Sequence, residues 1–333
     1  MSDKRWAAVL GLLLLSFLYL LFQFMSSTYR NQALIRQWSE AETGASGKPH
    51  VMLISQELDN PYWRMIEQGA RDAGNRLGMA LEYVGPLRVN PEEQTMLLEK
   101  AIAAKVDAIL LQGIHSITYT RLIDQAVAQG IPVLTVDADS PDSKRLSYVG
   151  TDNYESGRRL GEIVAEAGRA FSGRLVTKIG VLIGSNLAEN QTLRLDGFRS
   201  VISWHRSLQI VDVRVSNISR IEAAQKASEM LYLHPDIAII VGMSALDGAG
   251  ILQAAKSSGR DDVLIFGFDD IEETKQAIVR GEIAASVIQK PYRMGYDSVS
   301  IIHDVLQGRS APPHHLMDTE ILTKDGIRLG DER

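Results

Sequence analysis

The chain has 333 residues, 45% of them apolar and 23% charged, which suits two globular units with buried cores. Its formal net charge of −6 argues against a phosphate-backbone binder, which needs a basic face. There is no cysteine, which excludes disulfides, thiolate metal sites, a cysteine nucleophile and a lipid-modified cysteine near the N-terminus.

Residues 6–25, WAAVLGLLLLSFLYLLFQFM, form a nearly continuous apolar run interrupted only by the uncharged Ser16 and Gln23. About 20 such residues in a helix span roughly 30 Å of hydrocarbon. Lys4 and Arg5 precede the run, so the N-terminus is expected to stay in the cytoplasm and the remainder to be exported. The run exceeds the apolar region of a cleaved signal peptide, and Phe24-Met25-Ser26-Ser27 is a poor cleavage site. An uncleaved signal anchor over 1–26 is therefore the preferred reading, with cleavage as its rival. Residues 27–48 read as a juxtamembrane stalk ending in a Gly- and Ser-containing linker.

From His50 onward, short apolar runs alternate with helix-length segments. The predicted order starts with strand 51–55, helix 62–77, strand 81–84, helix 91–104, strand 108–111, helix 118–129 and strand 132–136. After Tyr148-Val-Gly-Thr-Asp-Asn153 a second series begins: helix 154–170, strand 179–183, helix 192–203, strand 209–215, helix 220–233, strand 237–241 and helix 246–258. Strand 263–268, helix 271–279, strand 284–288 and helix 292–307 complete it. The runs are short, rich in Val, Ile and Leu, and apolar throughout, as strands buried on both faces by crossover helices must be. The fold class is therefore α/β, with two doubly wound parallel-sheet lobes that divide near residue 150.

Ligands of open parallel sheets bind beyond the carboxyl ends of the strands. Those ends carry Gln56, Glu57, Asp59, Asn60, Tyr62 and Trp63; Asp137 and Asp139; Ser185, Asn186, Gln191, Thr192 and Arg194; Ser244 and Asp247; Asp269 and Asp270; and Gln289. Carboxylates accept hydroxyl protons, amides and guanidinium donate, and aromatic faces pack on a sugar ring, so the set suits a neutral polyhydroxylated ligand. Each residue also has a bland reading. Asp137 and Asp269 can cap a following helix, Asn60 can shape its turn, and Tyr62 or Trp63 can belong to the core.

The segments Ser55-Gln-Glu-Leu-Asp-Asn-Pro-Tyr-Trp63, Ile131-Pro-Val-Leu-Thr-Val-Asp137, Gly150-Thr-Asp-Asn153, Arg194-Leu-Asp-Gly-Phe198, His234-Pro-Asp236, Phe266-Gly-Phe-Asp269 and Gln289-Lys-Pro291 resemble, in order, those of sugar-binding proteins of the ribose-binding type. The ordered set resembles the type I periplasmic binding fold, which also includes effector domains of lactose-repressor-type regulators. The resemblance implies a first lobe over 49–150, a second over 151–289, a return to the first over 290–316 and to the second over 317–333. Three crossovers would form a hinge. It further implies ligand positions at Gln56, Asn60, Tyr62, Trp63, Asp137, Arg194, Ser244, Asp269 and Gln289, with Tyr62 and Trp63 sandwiching the ring. The chain departs from the ribose pattern at Ala138, where an arginine stands, at Ser244, where an Asn–Asp pair is common, and at Ile218, where an aromatic is frequent.

No Gly-x-Gly-x-x-Gly or phosphate loop follows a strand, so no cofactor and no enzymatic activity is expected. His314-His315 reads as a surface loop rather than a metal site. The N-terminal apolar run and the resemblance together imply a membrane-tethered extracytoplasmic binding protein that takes a sugar or polyol by hinge closure. It would serve an ABC sugar permease or, alternatively, report to a membrane histidine kinase.

Overall fold

The computed structural model describes residues 47–326, apart from 172 and 174. The predicted anchor over 1–26, the stalk and linker up to residue 46, and residues 327–333 lie outside the described residues. No helix among the described residues is long and apolar enough to cross a membrane.

The first sheet has the order β11-β5-β4-β3-β1-β2, formed by β1 (His50–Ile54), β2 (Ala80–Val84), β3 (Ala108–Leu111), β4 (Val133–Val136), β5 (Ser147–Thr151) and β11 (His314–Met317), all parallel. The second has the order β12-β10-β9-β8-β6-β7, formed by β6 (Thr177–Ile183), β7 (Leu208–Val215), β8 (Ile237–Gly242), β9 (Leu264–Phe268), β10 (Ala285–Ile288) and β12 (Glu320–Thr323). Here β12 runs antiparallel to β10, which departs from the expected all-parallel lobe. The helices are α1 (Pro61–Leu77), α2 (Pro91–Ala104), α3 (Ile117–Ala128), α4 (Asn153–Gly168), α5 (Glu189–Ile202), α6 (Arg220–Leu233), α7 (Asp247–Ser257), α8 (Glu272–Arg280) and α9 (Pro291–Leu306).

Alternate residues of each central strand feed opposite layers. Val51, Leu53, Leu110, Leu134 and Val136 pack under α1 and α9, whereas Met52, Ile54, Ile109, Leu111 and Val133 pack under α2 and α3. In the second lobe, Ile179, Val181, Ile239, Val241 and Phe266 meet α4 and α5, and Leu182, Ile240 and Ile265 meet α6, α7 and α8. Burying one such side chain contributes roughly 1.5–3 kcal/mol, so the two-sided strands account for much of the core.

In each lobe one helix pair packs closely through glycine. A Cβ on Gly69 of α1 would meet the Tyr292 carbonyl at 1.9 Å, and one on Gly295 of α9 would meet the Ile66 carbonyl at 1.9 Å. The second lobe repeats the device: Gly157 of α4 faces the Arg194 carbonyl at 2.0 Å, and Gly197 of α5 faces the Tyr154 carbonyl at 2.0 Å.

The chain passes between the sheets after β5, after β10 and after β11. Thr151 Oγ1 donates to Gln289 Oε1 at 2.8 Å, tying the first two passages together. Arg159 Nη1 donates to the Thr319 carbonyl at 2.5 Å, tying α4 to the third. His314 and His315 lie on edge strand β11, not on the expected loop, because β5 offers an open edge. His315 Nε2 sits 3.0 Å from Asp297 Oδ2.

Candidate functional site

Both sheets turn their carboxyl ends toward one another, and the strand ends build the site. The strands β4 and β9 occupy equivalent places in the two sheets. Each is followed directly by an aspartate in the left-handed region, Asp137 at φ 69° and Asp269 at φ 64°. Aspartate tolerates this conformation better than bulkier residues. The turn bends the chain out of the sheet while the amide stays bonded to the neighbouring strand, to the Val149 carbonyl at 3.0 Å and the Val287 carbonyl at 2.7 Å. Neither aspartate caps a helix: β5 follows Asp137 with no helix between, and the residue that caps α8 is Ile271.

Gln56, Asn60, Tyr62, Trp63, Asp137, Arg194, Ser244, Asp269 and Gln289 all line one cavity. None is more than 7% exposed. Asn190, Gln191, Ile218 and Ala245 complete the lining. Residues of both lobes meet there.

Asp137 Oδ1 accepts from the Tyr62 hydroxyl at 2.9 Å, and its Oδ2 accepts from Gln112 Nε2 at 3.0 Å and Asn190 Nδ2 at 2.9 Å. Asp269 Oδ1 accepts from Gln289 Nε2 at 3.0 Å. Arg194 is the cavity's guanidinium. Its Nε donates to Asn153 Oδ1 and its Nη1 to the Met243 carbonyl, both at 2.8 Å, while its plane lies 3.8 Å from the Phe268 ring centre. Arg194 Nη2, Asn190 Oδ1 and Ser244 Oγ are buried without a hydrogen-bond partner in the protein.

Burial pushes Asp269 up to about 7; Arg194 and Gln289 oppose the shift, and Asp137 adds to it. Burial also raises Asp137 against Arg194 and its three donors. Burial, with Asp137 next, holds the Tyr62 phenol well above its ordinary value, so it is a donor at neutral pH.

Two expectations change. Asn60 is the N-cap of α1: its Oδ1 accepts from the Tyr62 amide at 2.9 Å and its Nδ2 donates to Glu57 at 3.1 Å, so the turn-shaping reading accounts for both bonds. Tyr62 and Trp63 occupy consecutive positions of one helix, so their side chains diverge by about 100°. They cannot bracket a ring between parallel plates. The second lobe's part of the wall is aliphatic, Ile218 with Ala245. Ile218 holds φ 53°, strained for a β-branched residue, and Gly184 has no Cβ to collide with it, as one would lie 2.8 Å from Ile218 Cγ1.

Sequence reasoning passed over Gln112, although it directly follows β3, and Asn190, which sits one helical turn before Arg194.

Residues 51–310 match the periplasmic binding protein domain family. The chain belongs to that family. Among curated periplasmic binding proteins, the ribose import binding protein of Escherichia coli is 23% identical over 84% of this chain and 92% of its own length. The D-apiose import binding protein of Paraburkholderia graminis is 27% identical over 82% and 87%. Among solved periplasmic binding protein folds, GanP, a glucose-galactose binding protein from Geobacillus stearothermophilus, matches with a TM-score of 0.79 and 37% identity, covering 84% of this chain and 99% of GanP. A chain of the XylFII-LytSN complex matches with a TM-score of 0.78 and 34% identity over 84% and 99%.

Proposed function

We propose that this chain is a membrane-tethered, extracytoplasmic solute-binding protein that closes its two lobes on one neutral sugar or polyol and delivers it to an ABC sugar permease. The supporting observation is a cavity lined by buried residues of both lobes, where two carboxylates and three partner-free polar atoms, one of them on the Arg194 guanidinium, converge. Partner-free buried polar atoms are costly, and hydroxyl groups, which both donate and accept, match them. The aromatic wall of Tyr62 and Trp63 supplies apolar contact for the C–H face of a ring. Ligand contacts from both lobes would stabilise the closed arrangement over an open one. The tether is residues 6–25, and a mature N-terminus near residue 27 by mass spectrometry would refute it.

The test is a titration of the full chain in detergent against pentoses, hexoses and polyols, read by tryptophan fluorescence. Of the four tryptophans, Trp63 lines the cavity and Trp204 is 86% exposed on the second lobe. Trp63→Ala is expected to weaken binding by about 2 kcal/mol, roughly thirtyfold in Kd. A panel in which no sugar or polyol shifts the signal sinks the carbohydrate reading.

Acidity gives a second test. Burial on closure raises Asp269, so the closed form holds a proton that the open form releases. The penalty for closing empty is absent well below the ordinary carboxylate range, builds up to about pH 7 and is constant above it. The unliganded protein is therefore expected to be more closed at pH 5 than at pH 8 by interlobe energy transfer between dyes, and Asp269→Asn to flatten that dependence.

A second reading has support of its own. The match to a chain of the XylFII-LytSN complex favours an accessory sensor that reports ligand to a membrane histidine kinase. Permease and ATPase genes beside this one favour import; kinase and response-regulator genes favour sensing.

A further inference from the structure

The segment Leu187–Asn190 leads into and begins α5, and it reaches across the cleft at two points. The Leu187 carbonyl accepts from the His115 amide of the first lobe at 3.0 Å. Asn190 Nδ2 donates to Asp137 Oδ2 of the first lobe at 2.9 Å. Both bonds join protein to protein, so neither needs a ligand between the lobes. The segment is fixed to its own lobe by the Leu187 amide on Ser185 Oγ at 3.1 Å and by Gln191 Oε1 accepting from the Gly184 amide at 2.9 Å. Asp137 is fixed to the first lobe by Tyr62 and Gln112. A carboxylate has about four acceptor positions, and the third protein donor, Asn190, is supplied only by the opposite lobe.

We propose that Leu187–Asn190 is a clasp that holds the lobes together before a ligand arrives, with Asn190 as its positioning residue. A buried hydrogen bond to a charged group is worth enough to shift a two-state equilibrium about tenfold or more. The empty protein therefore samples the closed arrangement, and the ligand meets a cleft already biased toward closure. The charged groups lining the cavity around Asn190 are Asp137 of the β4 end, Asp269 of the β9 end and Arg194 of its own helix. Neighbouring Glu189 is acted on by Asp139, His115, Asp142 and Arg145.

The chain has no cysteine, so a dye pair can be placed cleanly through Met96→Cys on α2 and Ile221→Cys on α6, both exposed. Single-molecule energy transfer on the full chain in detergent, without sugar, reads the closed-to-open ratio. Asn190→Ala is expected to lower that ratio about tenfold. Asn190→Asp sets a second carboxylate against Asp137, so it is expected to lower the ratio further at pH 8. Its gap to the wild type should narrow at pH 5, where the pair shares a proton. That gap reports how close position 190 lies to Asp137 in the closed arrangement, and the Asn190→Ala ratio reads what the native amide contributes. Wild-type protein that is fully open without ligand overturns the clasp, as does either variant that matches the wild-type ratio at pH 8. A second arm rests on the sugar reading: with a sugar from the panel, Asn190→Ala should speed dissociation about tenfold and leave association nearly unchanged. If no sugar binds the wild type, that reading fails, and the ligand-free ratio still decides the clasp.

Discussion

Arg194→Met is expected to weaken sugar binding by roughly 3–5 kcal/mol, a hundredfold or more in Kd by calorimetry. Methionine keeps much of the apolar stem but removes the guanidinium that lies on Phe268, and with it the only positive charge among the cavity-lining residues. Asp137 and Asp269 then face each other without the guanidinium that opposes the rise of both. Two further bonds go with the charge, to Asn153 at the start of α4 and to the Met243 carbonyl at the end of β8. The sign of the pH effect follows. Without Arg194 the folded-state values of both carboxyls rise further above those of exposed aspartate. The variant therefore loses stability relative to the wild type only as pH rises past the wild-type folded-state values, about 7 for Asp269, and the loss levels off above the variant's own higher values. Thermal melts at pH 5 and pH 8 should show a small deficit at the first and a larger one at the second. A deficit equal at both would mean that Arg194 acts through packing alone.

How far the sequence carried the reading depends on the residue. Two-sided apolar runs such as Ala108–Leu111 and Ile237–Val241 declare themselves, because a strand covered on both faces has no polar position. Pro91 and the αL residue Lys105 bound α2 where the pattern placed it. In the sequence, Ser147–Thr151, which forms β5, reads as a boundary because Ser, Gly and Thr break the apolar run. Two of its side chains bond outside the strand, the Tyr148 hydroxyl to the Asp137 carbonyl at 2.9 Å and Thr151 Oγ1 to Gln289 Oε1 at 2.8 Å, whereas the buried Ser147 hydroxyl has no partner in the protein. Strands β11 and β12 are short edge pieces held by partners far away in sequence, and local propensity says little about such pieces. In the cavity, the strand-end rule reached the residues on β-strand exits and missed those whose place depends on a helix start. Helix α5 begins at Glu189, three residues before the predicted Thr192. With the true start, Asn190 and Arg194 are four apart and share a face. The capping role of Asn60 is legible from Asn-Pro alone. The divergence of Tyr62 and Trp63 follows from helix geometry once Pro61 is placed at its first position.

Gly157→Ala joins the fold to the site and is expected to be among the most damaging single methyl additions in the chain. In an ordinary helix interior the change stabilises by about 0.5–1 kcal/mol, because alanine has fewer unfolded conformations to lose. At position 157 the new Cβ would stand 2.0 Å from the Arg194 carbonyl oxygen, a backbone atom with no rotamer to move. Helix α5 must shift outward, and a shift forced on a closely packed interior costs typically 1–3 kcal/mol. The displaced residue is Arg194 itself, so the guanidinium leaves Asn153 and Met243 together with its place between the two aspartates. Melting temperature and sugar affinity should therefore fall together. Gly69→Ala in the first lobe makes the comparison, since its Cβ would strike the Tyr292 carbonyl at 1.9 Å while Arg194 stays in place. That variant should lose comparable stability and retain more of the pH-dependent behaviour that Arg194 imposes on Asp269. If Gly157→Ala proves as stable as the wild type, or unstable yet normal in affinity, the helix contact does not position the guanidinium.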